Sequence, residues 1–268
     1  LMNKDGIMEL TYLGQAGFQV VDDSQVFLID PYLSNYVVTS GIGDAEHFSR
    51  AFPAPIDPAA IREVEAIFVT HDHADHTDPD TLLPILKNNP HCVVIGPQPS
   101  LDHLKSAGVG ESQLRLAHAF KKETIGSIYF TALPSAHYGL DKDETTGEYA
   151  YLGFVLEMDG KVIYHAGDTI LYEGMLENLK RISDHYDVCC LPANGRDAKR
   201  EAMGMIGNLH PEESLELAWK LKSSLLIPMH NDMFKINSID TQRLDVFARE
   251  KYPDQKVKWM NPGEVLDL

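Results

Sequence analysis

Residues 70–78 carry the most information in the sequence and read Thr70-His71-Asp72-His73-Ala74-Asp75-His76-Thr77-Asp78. The apolar residues Ala66–Val69 before them predict a short buried strand, and residues Pro79–Asn88 after them predict a helix. Asp78 suits the N-cap of that helix because its carboxylate can accept hydrogen bonds from free backbone N–H groups, and Pro79 suits its first position. The polar residues between strand and helix are therefore predicted to form a loop at a sheet edge.

This loop contains three histidines and one aspartate that indicate metal binding, at His71, His73, Asp75 and His76. Neutral imidazoles and carboxylates each donate a lone pair to a divalent ion, and the carboxylates also offset its charge. One short loop cannot enclose two ions, so further ligands are expected where other predicted strands end. Three polar residues occupy such positions, namely His137, Asp168 and His230.

The predicted elements change character along the chain. The first third is rich in short strands, beginning with Ile7–Leu13, and residues 30–58 then lack any periodicity. One strand is predicted at Ile125–Leu133, after which helices and strands alternate up to a last strand at Val257–Met260. This order favours packed sheets with helices outside them.

Other reactive side chains are interpreted as structural. His165 is expected in the core, and His210 is expected to cap the helix that follows it, with a substrate contact as the alternative. Cys92, Cys189 and Cys190 lie in apolar runs and are expected to be buried thiols.

The order H-x-H-x-D-H, H, G-D, H resembles the metallo-β-lactamase superfamily of metal-dependent hydrolases. Within that superfamily the chain is similar to the L-ascorbate-6-phosphate lactonase-like branch in three blocks, residues 57–78, Tyr164–Thr169 and Ile227–Asp232. The resemblance implies an α/β (α+β) fold, the four-layer αββα sandwich, formed by a single domain of residues 1–268.

The resemblance also implies two divalent metal ions bridged by Asp168. The first ion would be bound by His71, His73 and His137, and the second by Asp75, His76 and His230. The branch favours manganese, and a ligand set of nitrogen and oxygen atoms suits zinc as well. Members of the branch often assemble, so a homo-oligomer is compatible with the resemblance.

The implied chemistry is hydrolysis of a lactone or ester. Two ions close together lower the pKa of a bridging water, and the resulting hydroxide attacks the carbonyl while a metal stabilises the oxyanion. Asp75 is the candidate catalytic residue, expected to orient this nucleophile and to pass a proton to the leaving oxygen.

The substrate is expected to be a small anionic metabolite that carries a phosphate. The loop of residues 192–200 concentrates three cations, Arg196, Lys199 and Arg200, in an otherwise acidic chain. Arg196 is the first candidate because guanidinium binds phosphate through two hydrogen bonds, whereas a solvated surface loop is the structural alternative. The loop of residues 32–52 is a candidate lid.

Composition excludes several classes of protein. The 268 residues are 44% hydrophobic and 24% charged, which is typical of a soluble globular protein. The chain contains 23 basic and 40 acidic residues, and its net charge of −17 disfavours nucleic acid and anionic membranes as partners. An apolar run of membrane-spanning length and a secretion signal are both missing from the sequence, so a cytoplasmic location is expected.

Four other functions compete with the lactonase interpretation. A phosphodiesterase resembling the N-acyl phosphatidylethanolamine phospholipase D branch shares the metal-binding loop and the following Asp78. A non-catalytic metal-binding scaffold is the alternative from a different class, disfavoured because a structural site needs only four ligands. A nuclease is disfavoured by the net charge, and a secreted β-lactamase by the absent signal and the lack of a cysteine ligand.

Overall fold

Two β-sheets lie face to face at the centre of the structure, a computed structural model that describes residues 8–22 and 24–268. The first sheet contains β1 (Glu9–Gly14), β2 (Gly17–Asp22), β3 (Gln25–Ile29), β4 (Val64–Phe68), β5 (Val93–Gly96), β6 (Leu114–Leu116) and β13 (Val265–Asp267). The second contains β7 (Lys122–Ile125), β8 (Ile128–Pro134), β9 (Leu152–Met158), β10 (Lys161–His165), β11 (Tyr186–Pro192) and β12 (Ser223–Met229).

Both sheets are mixed. In the order β13-β1-β2-β3-β4-β5-β6, the strands from β13 to β3 are antiparallel and those from β3 to β6 are parallel. In the order β12-β11-β10-β9-β8-β7, the strands from β7 to β10 are antiparallel and those from β10 to β12 are parallel. The parallel strands are buried by helices, as parallel sheets require.

The helices are α1 (Tyr36–Thr39), α2 (Ala45–Phe48), α3 (Pro79–Asn88), α4 (Gln98–Ser106), α5 (Met175–Ile182), α6 (Ala198–Ala202), α7 (Pro211–Lys220) and α8 (Thr241–Lys251). Short 3₁₀ turns lie at Pro58–Ala60, Glu111–Gln113 and Lys235–Asn237. No helix in the described ranges is long and apolar enough to cross a membrane.

The alternation of side chains along the strands produces the layers. In β4, Phe68 packs between the sheets against Phe130 and Phe154, with ring centroids 5.2 and 5.0 Å apart. The adjacent Ile67 points to the opposite face and joins the cluster that includes Leu82 of α3. Helices α5, α7 and α8 cover the outer face of the second sheet in the same way. The predicted αββα sandwich is therefore confirmed.

Local capping predictions are also confirmed. The Asp78 side chain accepts hydrogen bonds from the backbone N–H groups of Asp80 and Thr81 at 3.0 and 3.2 Å, and α3 begins at Pro79. His210 caps α7 through a capping box with Glu213. The three cysteines are buried free thiols.

Three boundaries differ from the prediction. The strand predicted at Ile125–Leu133 is two strands, because Gly126 adopts a φ of +53° and turns the chain between β7 and β8. The strand predicted at Val257–Met260 is wrong, since only Val257 forms an isolated bridge, while Trp259 packs on the helical side of the second sheet and Met260 packs between the sheets. The final strand is β13, which pairs with β1. Ile7, the predicted start of the first strand, lies outside the described residues.

Candidate metal centre

The candidate ligands converge because the strands that precede them run in the same direction. Strand β9 is antiparallel to both β8 and β10, so β8 runs parallel to β10 and to β12. His137, Asp168 and His230 follow the carboxyl ends of β8, β10 and β12, and therefore meet at one edge of the second sheet. The loop after β4 brings its histidines to the same edge from the first sheet. Such edges are common positions for ligand sites.

The structure brings together all seven predicted ligands in two groups. Within each group one donor atom per residue lies within 4.8 Å of the others. The first group is His71, His73, His137 and Asp168, and the second is Asp75, His76 and His230.

Asp168 lies between the two groups. One of its carboxylate oxygens, Oδ2, is 3.9 Å from Nε2 of His71 and 3.3 Å from Nε2 of His230. The other oxygen, Oδ1, is 3.3 Å from Nε2 of His76. A carboxylate with one oxygen facing members of both groups has the arrangement that a bridging ligand requires.

The residues present fit divalent metal ions. The Nε2 atoms of His71 and His76 and the Oδ1 atom of Asp168 are buried and form no well-oriented hydrogen bond with any described residue. Leaving a buried polar atom unsatisfied costs about 1–3 kcal/mol, so three together at one point indicate an external partner. Nitrogen and oxygen donors can bind either manganese or zinc.

The histidine pKa values are shifted in different directions in the two groups. Burial lowers the pKa of His71, His73 and His137, that of His137 to about 4, so these imidazoles are neutral and have a lone pair available. Burial acts in the same direction on His230, but Asp168 and Asp75 outweigh it and raise the pKa of His230 to about 9.

The pKa values of the two carboxylates, Asp75 and Asp168, are shifted in the opposite direction to that of His230. Burial would raise the pKa values of Asp75 and Asp168, yet the positive charges of His76 and His230 beside them hold both pKa values well below the usual range. The carboxylates are therefore ionised and available to a cation. Protons on the second group's imidazoles are the species that a divalent ion would displace.

Gln15 is a site residue that the sequence analysis missed. Its Nε2 donates to Oδ2 of Asp75 at 2.8 Å and lies 3.0 Å from Nε2 of His230. Its backbone carbonyl accepts from the N–H of His230 at 2.6 Å. Gln15 has a φ of +58° in the turn between β1 and β2, and Asp232 accepts from its N–H at 3.3 Å. Gln15 lies between Gly14 and Gly17 and belongs to no motif of metal-binding residues, so no signal in the sequence points to it.

Asp30 is the second residue that was missed. Its buried carboxylate accepts hydrogen bonds from the N–H and Oγ1 of Thr70, at 2.8 and 2.6 Å. Nδ1 of His76 is 2.7 Å from the same carboxylate, which orients the ring with Nε2 toward the ligand groups. Asp30 follows β3 directly, so the strand-end signal used for other ligands could have identified it.

A cavity of about 420 Å³ opens onto the ligands. It reaches five of them, His73, Asp75, His137, Asp168 and His230. Residues of the predicted lid segment, including Val37 and Phe48, form one side of this cavity, and residues that follow α6 form another.

The three predicted substrate-binding cations are not brought to this cavity. Arg196 forms a two-pronged ion pair with Glu213 at 2.7 and 2.8 Å and donates to the carbonyl of Asn208. Arg200 donates to Asp197 at 2.6 Å and to the carbonyl of Asn194 at 2.8 Å. Lys199 is exposed. The two arginines lie beside a small crevice that adjoins the cavity at Asn194 and Asn237, and their guanidinium groups brace the loop because they are already paired.

His165 is buried, as expected for a core residue. Its Nε2 lies 2.8 Å from the carbonyl oxygen of Ala16, and its ring packs edge-on against Phe18. It belongs to neither ligand group.

The fold and the two donor groups define a metal-dependent hydrolase of the metallo-β-lactamase superfamily. The family model described as the Beta-lactamase superfamily domain matches residues 25–231. The chain is 30% identical over 267 residues to a UPF0173 metal-dependent hydrolase of Methanoculleus marisnigri, with 97% of each chain covered. It is 27% identical to a UPF0173 metal-dependent hydrolase of Desulfitobacterium hafniense, with 97% and 98% covered. The chain belongs to the UPF0173 family of metal-dependent hydrolases.

Solved structures share the fold. Igni18, a metallo hydrolase from Ignicoccus hospitalis, matches with a TM-score of 0.69 and 22% identity over 98% of each chain. An isothiocyanate hydrolase from Delia radicum gut bacteria matches with a TM-score of 0.75 and 18% identity, covering 97% of this chain and 99% of that one. These findings confirm the superfamily resemblance without confirming the lactonase-like branch.

Proposed function

We propose that this protein uses two divalent metal ions to hydrolyse the acyl–oxygen bond of a small ester or lactone in the cytoplasm. The observation that carries the proposal is the position of Asp168 between two groups of largely buried nitrogen and oxygen donors, beside an open cavity. The first ion would be held by His71, His73 and His137, and the second by Asp75, His76 and His230, with Asp168 shared. Manganese is favoured by resemblance, with zinc as the alternative.

Divalent ions in such a site lower the pKa of water to about 7 and polarise a carbonyl oxygen. The chain itself supplies orientation and proton transfer. Asp75 lines the cavity, and the amide of Gln15 fixes one of its oxygens. We assign Asp75 the role of taking a proton from the attacking water and returning it to the leaving oxygen.

The competing functions have less support from the described residues. The Asp78 carboxylate, shared with the phosphodiesterase branch, caps α3 and accepts from Ser34 at 2.7 Å, so it has a structural task outside the cavity. A structural metal site is closed to solvent, whereas five of these ligands border a cavity, which argues against a scaffold. The placement of Arg196, Lys199 and Arg200 gives no support to recognition of a phosphate.

The test combines metal content with turnover. Protein reconstituted with manganese, and separately with zinc, is expected to hold two ions per chain and to hydrolyse a γ-lactone and a p-nitrophenyl ester. Asp168→Ala is expected to abolish turnover and to reduce the bound metal, whereas His185→Gln, at an exposed histidine, serves as the matched control. Full turnover in Asp168→Ala, or turnover that resists a chelator, would contradict the proposal.

A further inference from the structure

We infer that the substrate presents an uncharged, apolar acyl group to the cavity, not a phosphate or another anion. This inference deepens the proposed ester or lactone hydrolysis and rests on it. It follows from the lining of the cavity that opens onto the ligand groups.

Apolar side chains from three parts of the chain converge on this cavity. We call them the apolar wall, composed of Val37, Ile42, Phe48, Met203, Ile206 and Phe234. Val37 and Phe234 are buried and belong to one packed cluster, which gives the wall a rigid base. The flexible side chain of methionine adapts to apolar partners of varied shape.

The outer part of the wall is unusually exposed for its residue types. The exposed fractions are 70% for Ile42, 46% for Met203 and 38% for Ile206. These three side chains line a concave cavity that leads to Asp75 and Asp168, which distinguishes them from scattered surface residues. A ligand in this cavity therefore gains by removing apolar surface from water.

At the mouth of the cavity, away from the two ligand groups, the charges oppose a negatively charged end of the acyl group. Of the residues in ranges 8–22 and 24–268, no lysine or arginine lines the cavity. The charged side chains at its mouth are Asp44 and Asp72, both exposed carboxylates. Both carboxylates also disfavour a second negative charge nearby.

The two arginines of the neighbouring loop are committed to other partners. Arg196 is paired with Glu213 and Arg200 with Asp197, so binding a phosphate would require breaking an existing ion pair. The remaining polar lining includes the uncharged amides of Asn194 and Asn237, which can hydrogen-bond a neutral carbonyl or hydroxyl group.

The volume of the cavity suits a small molecule. At about 420 Å³ it lies in the lower part of the range of roughly 300–1,000 Å³ that is typical of small-molecule sites. Each methylene group fully buried against the wall is expected to favour binding about fourfold, which corresponds to roughly 0.8 kcal/mol.

A matched set of esters tests the inference on metal-loaded protein. The substrates are p-nitrophenyl acetate, butyrate and octanoate, together with mono-p-nitrophenyl suberate, which has the octanoate length and a terminal carboxylate. We expect kcat/KM to rise at least tenfold from acetate to octanoate, and to fall at least tenfold from octanoate to suberate. A suberate rate equal to or above the octanoate rate would overturn the inference.

Variants localise the effect to the wall. Met203→Gln preserves length but adds polarity, and it is expected to reduce the octanoate preference at least threefold, chiefly through KM. Val246→Thr, at an equally exposed apolar residue of α8, is the control and should leave the preference unchanged. An octanoate preference unaltered in Met203→Gln would also contradict the inference.

The outcomes separate this inference from the proposed function. Ester turnover without a length or charge preference overturns the inference and leaves the hydrolase proposal standing. If no ester is cleaved, the proposed function fails, and calorimetry with octanamide and acetamide still tests the wall. Tighter binding of octanamide supports an apolar ligand, and equal binding of the two amides overturns it.

Discussion

Replacing Asp30 with asparagine tests how the chain orients the second ligand group. In the native protein Oδ1 of Asp30 accepts from the N–H of Thr70, while Oδ2 faces both the hydroxyl of Thr70 and Nδ1 of His76. An asparagine has one acceptor and one donor in place of two acceptors. In one orientation its NH₂ opposes the N–H of Thr70, and in the other it opposes the protonated Nδ1 of His76.

The second orientation has a direct consequence for metal binding. A donor opposite Nδ1 forces the proton of His76 onto Nε2, the atom that faces Asp168 at 3.3 Å. A protonated Nε2 cannot bind a metal. Removing a carboxylate that orients a ligand histidine typically lowers metal affinity 10–100-fold, so we expect a loss of about 1.4–2.7 kcal/mol in Asp30→Asn.

The assay is a competition titration of metal-free protein with Mn²⁺ and Zn²⁺ against a chromogenic chelator. Asp22→Asn is the matched control, because Asp22 is also a buried carboxylate, at the end of β2, and accepts a hydrogen bond from Ser127 at 2.7 Å. An asparagine oxygen can still accept that bond, so metal affinity should not change. Wild-type affinity for both ions in Asp30→Asn would refute the reasoning, as would an equal loss in Asp22→Asn.

Three further predictions concern the centre and the loop beside it. Gln15→Leu removes the donor to Asp75, and because hydrogen bonds to charged groups contribute about 1.5–3 kcal/mol, kcat should fall about tenfold or more while metal content, measured in parallel, is retained. Metal removal by a chelator should lower the melting temperature measured by calorimetry, since ions at 100 times Kd contribute about 2.7 kcal/mol to stability; an unchanged value would contradict metal binding to the folded state. Burial raises the pKa of Glu213, but Arg196 outweighs it and holds that pKa below its usual 4.5. The ion pair of Glu213 with Arg196 therefore stabilises the fold above pH 4.5, and this stabilisation is lost as the pH falls through the lowered pKa of Glu213. In urea titrations, the difference in the free energy of unfolding between wild type and Glu213→Gln should shrink below pH 4.5.

The ligand loop and its helix were predictable because their signals are local. Asp78, Pro79 and the apolar strand before the loop lie next to one another in the chain, and capping depends on neighbouring residues. The three candidate donors at strand ends were predictable for a related reason, since a polar residue within three positions of the end of an apolar strand has few alternative positions. The strand predicted at Val257–Met260 failed because its pairing with β12 ends after the single bridge of Val257, and Trp259 and Met260 then pack into different clusters.

The cations of residues 196–200 show the limit of local reasoning. A concentration of positive charge in one loop indicates anion binding only when the charges are unpaired. Arg196 meets Glu213, which is 17 residues further along the chain, and the pairing depends on how α7 packs beside the loop. Sequence spacing contains no information on that contact.

By itself, the sequence indicated the strands, the helix caps and the seven candidate donors, because residue type and short-range pattern specify them, and its family resemblance implied the sandwich fold and the hydrolytic chemistry. Tertiary structure decided which groups support those donors and what the cavity can accept. Asp30 contacts His76, which is 46 positions away in the sequence, and Gln15 contacts Asp75, which is 60 positions away. The apolar wall likewise joins segments that are distant in the chain. Such contacts arise only when two sheets pack, since packing, unlike composition, sets the distance between residues far apart in sequence.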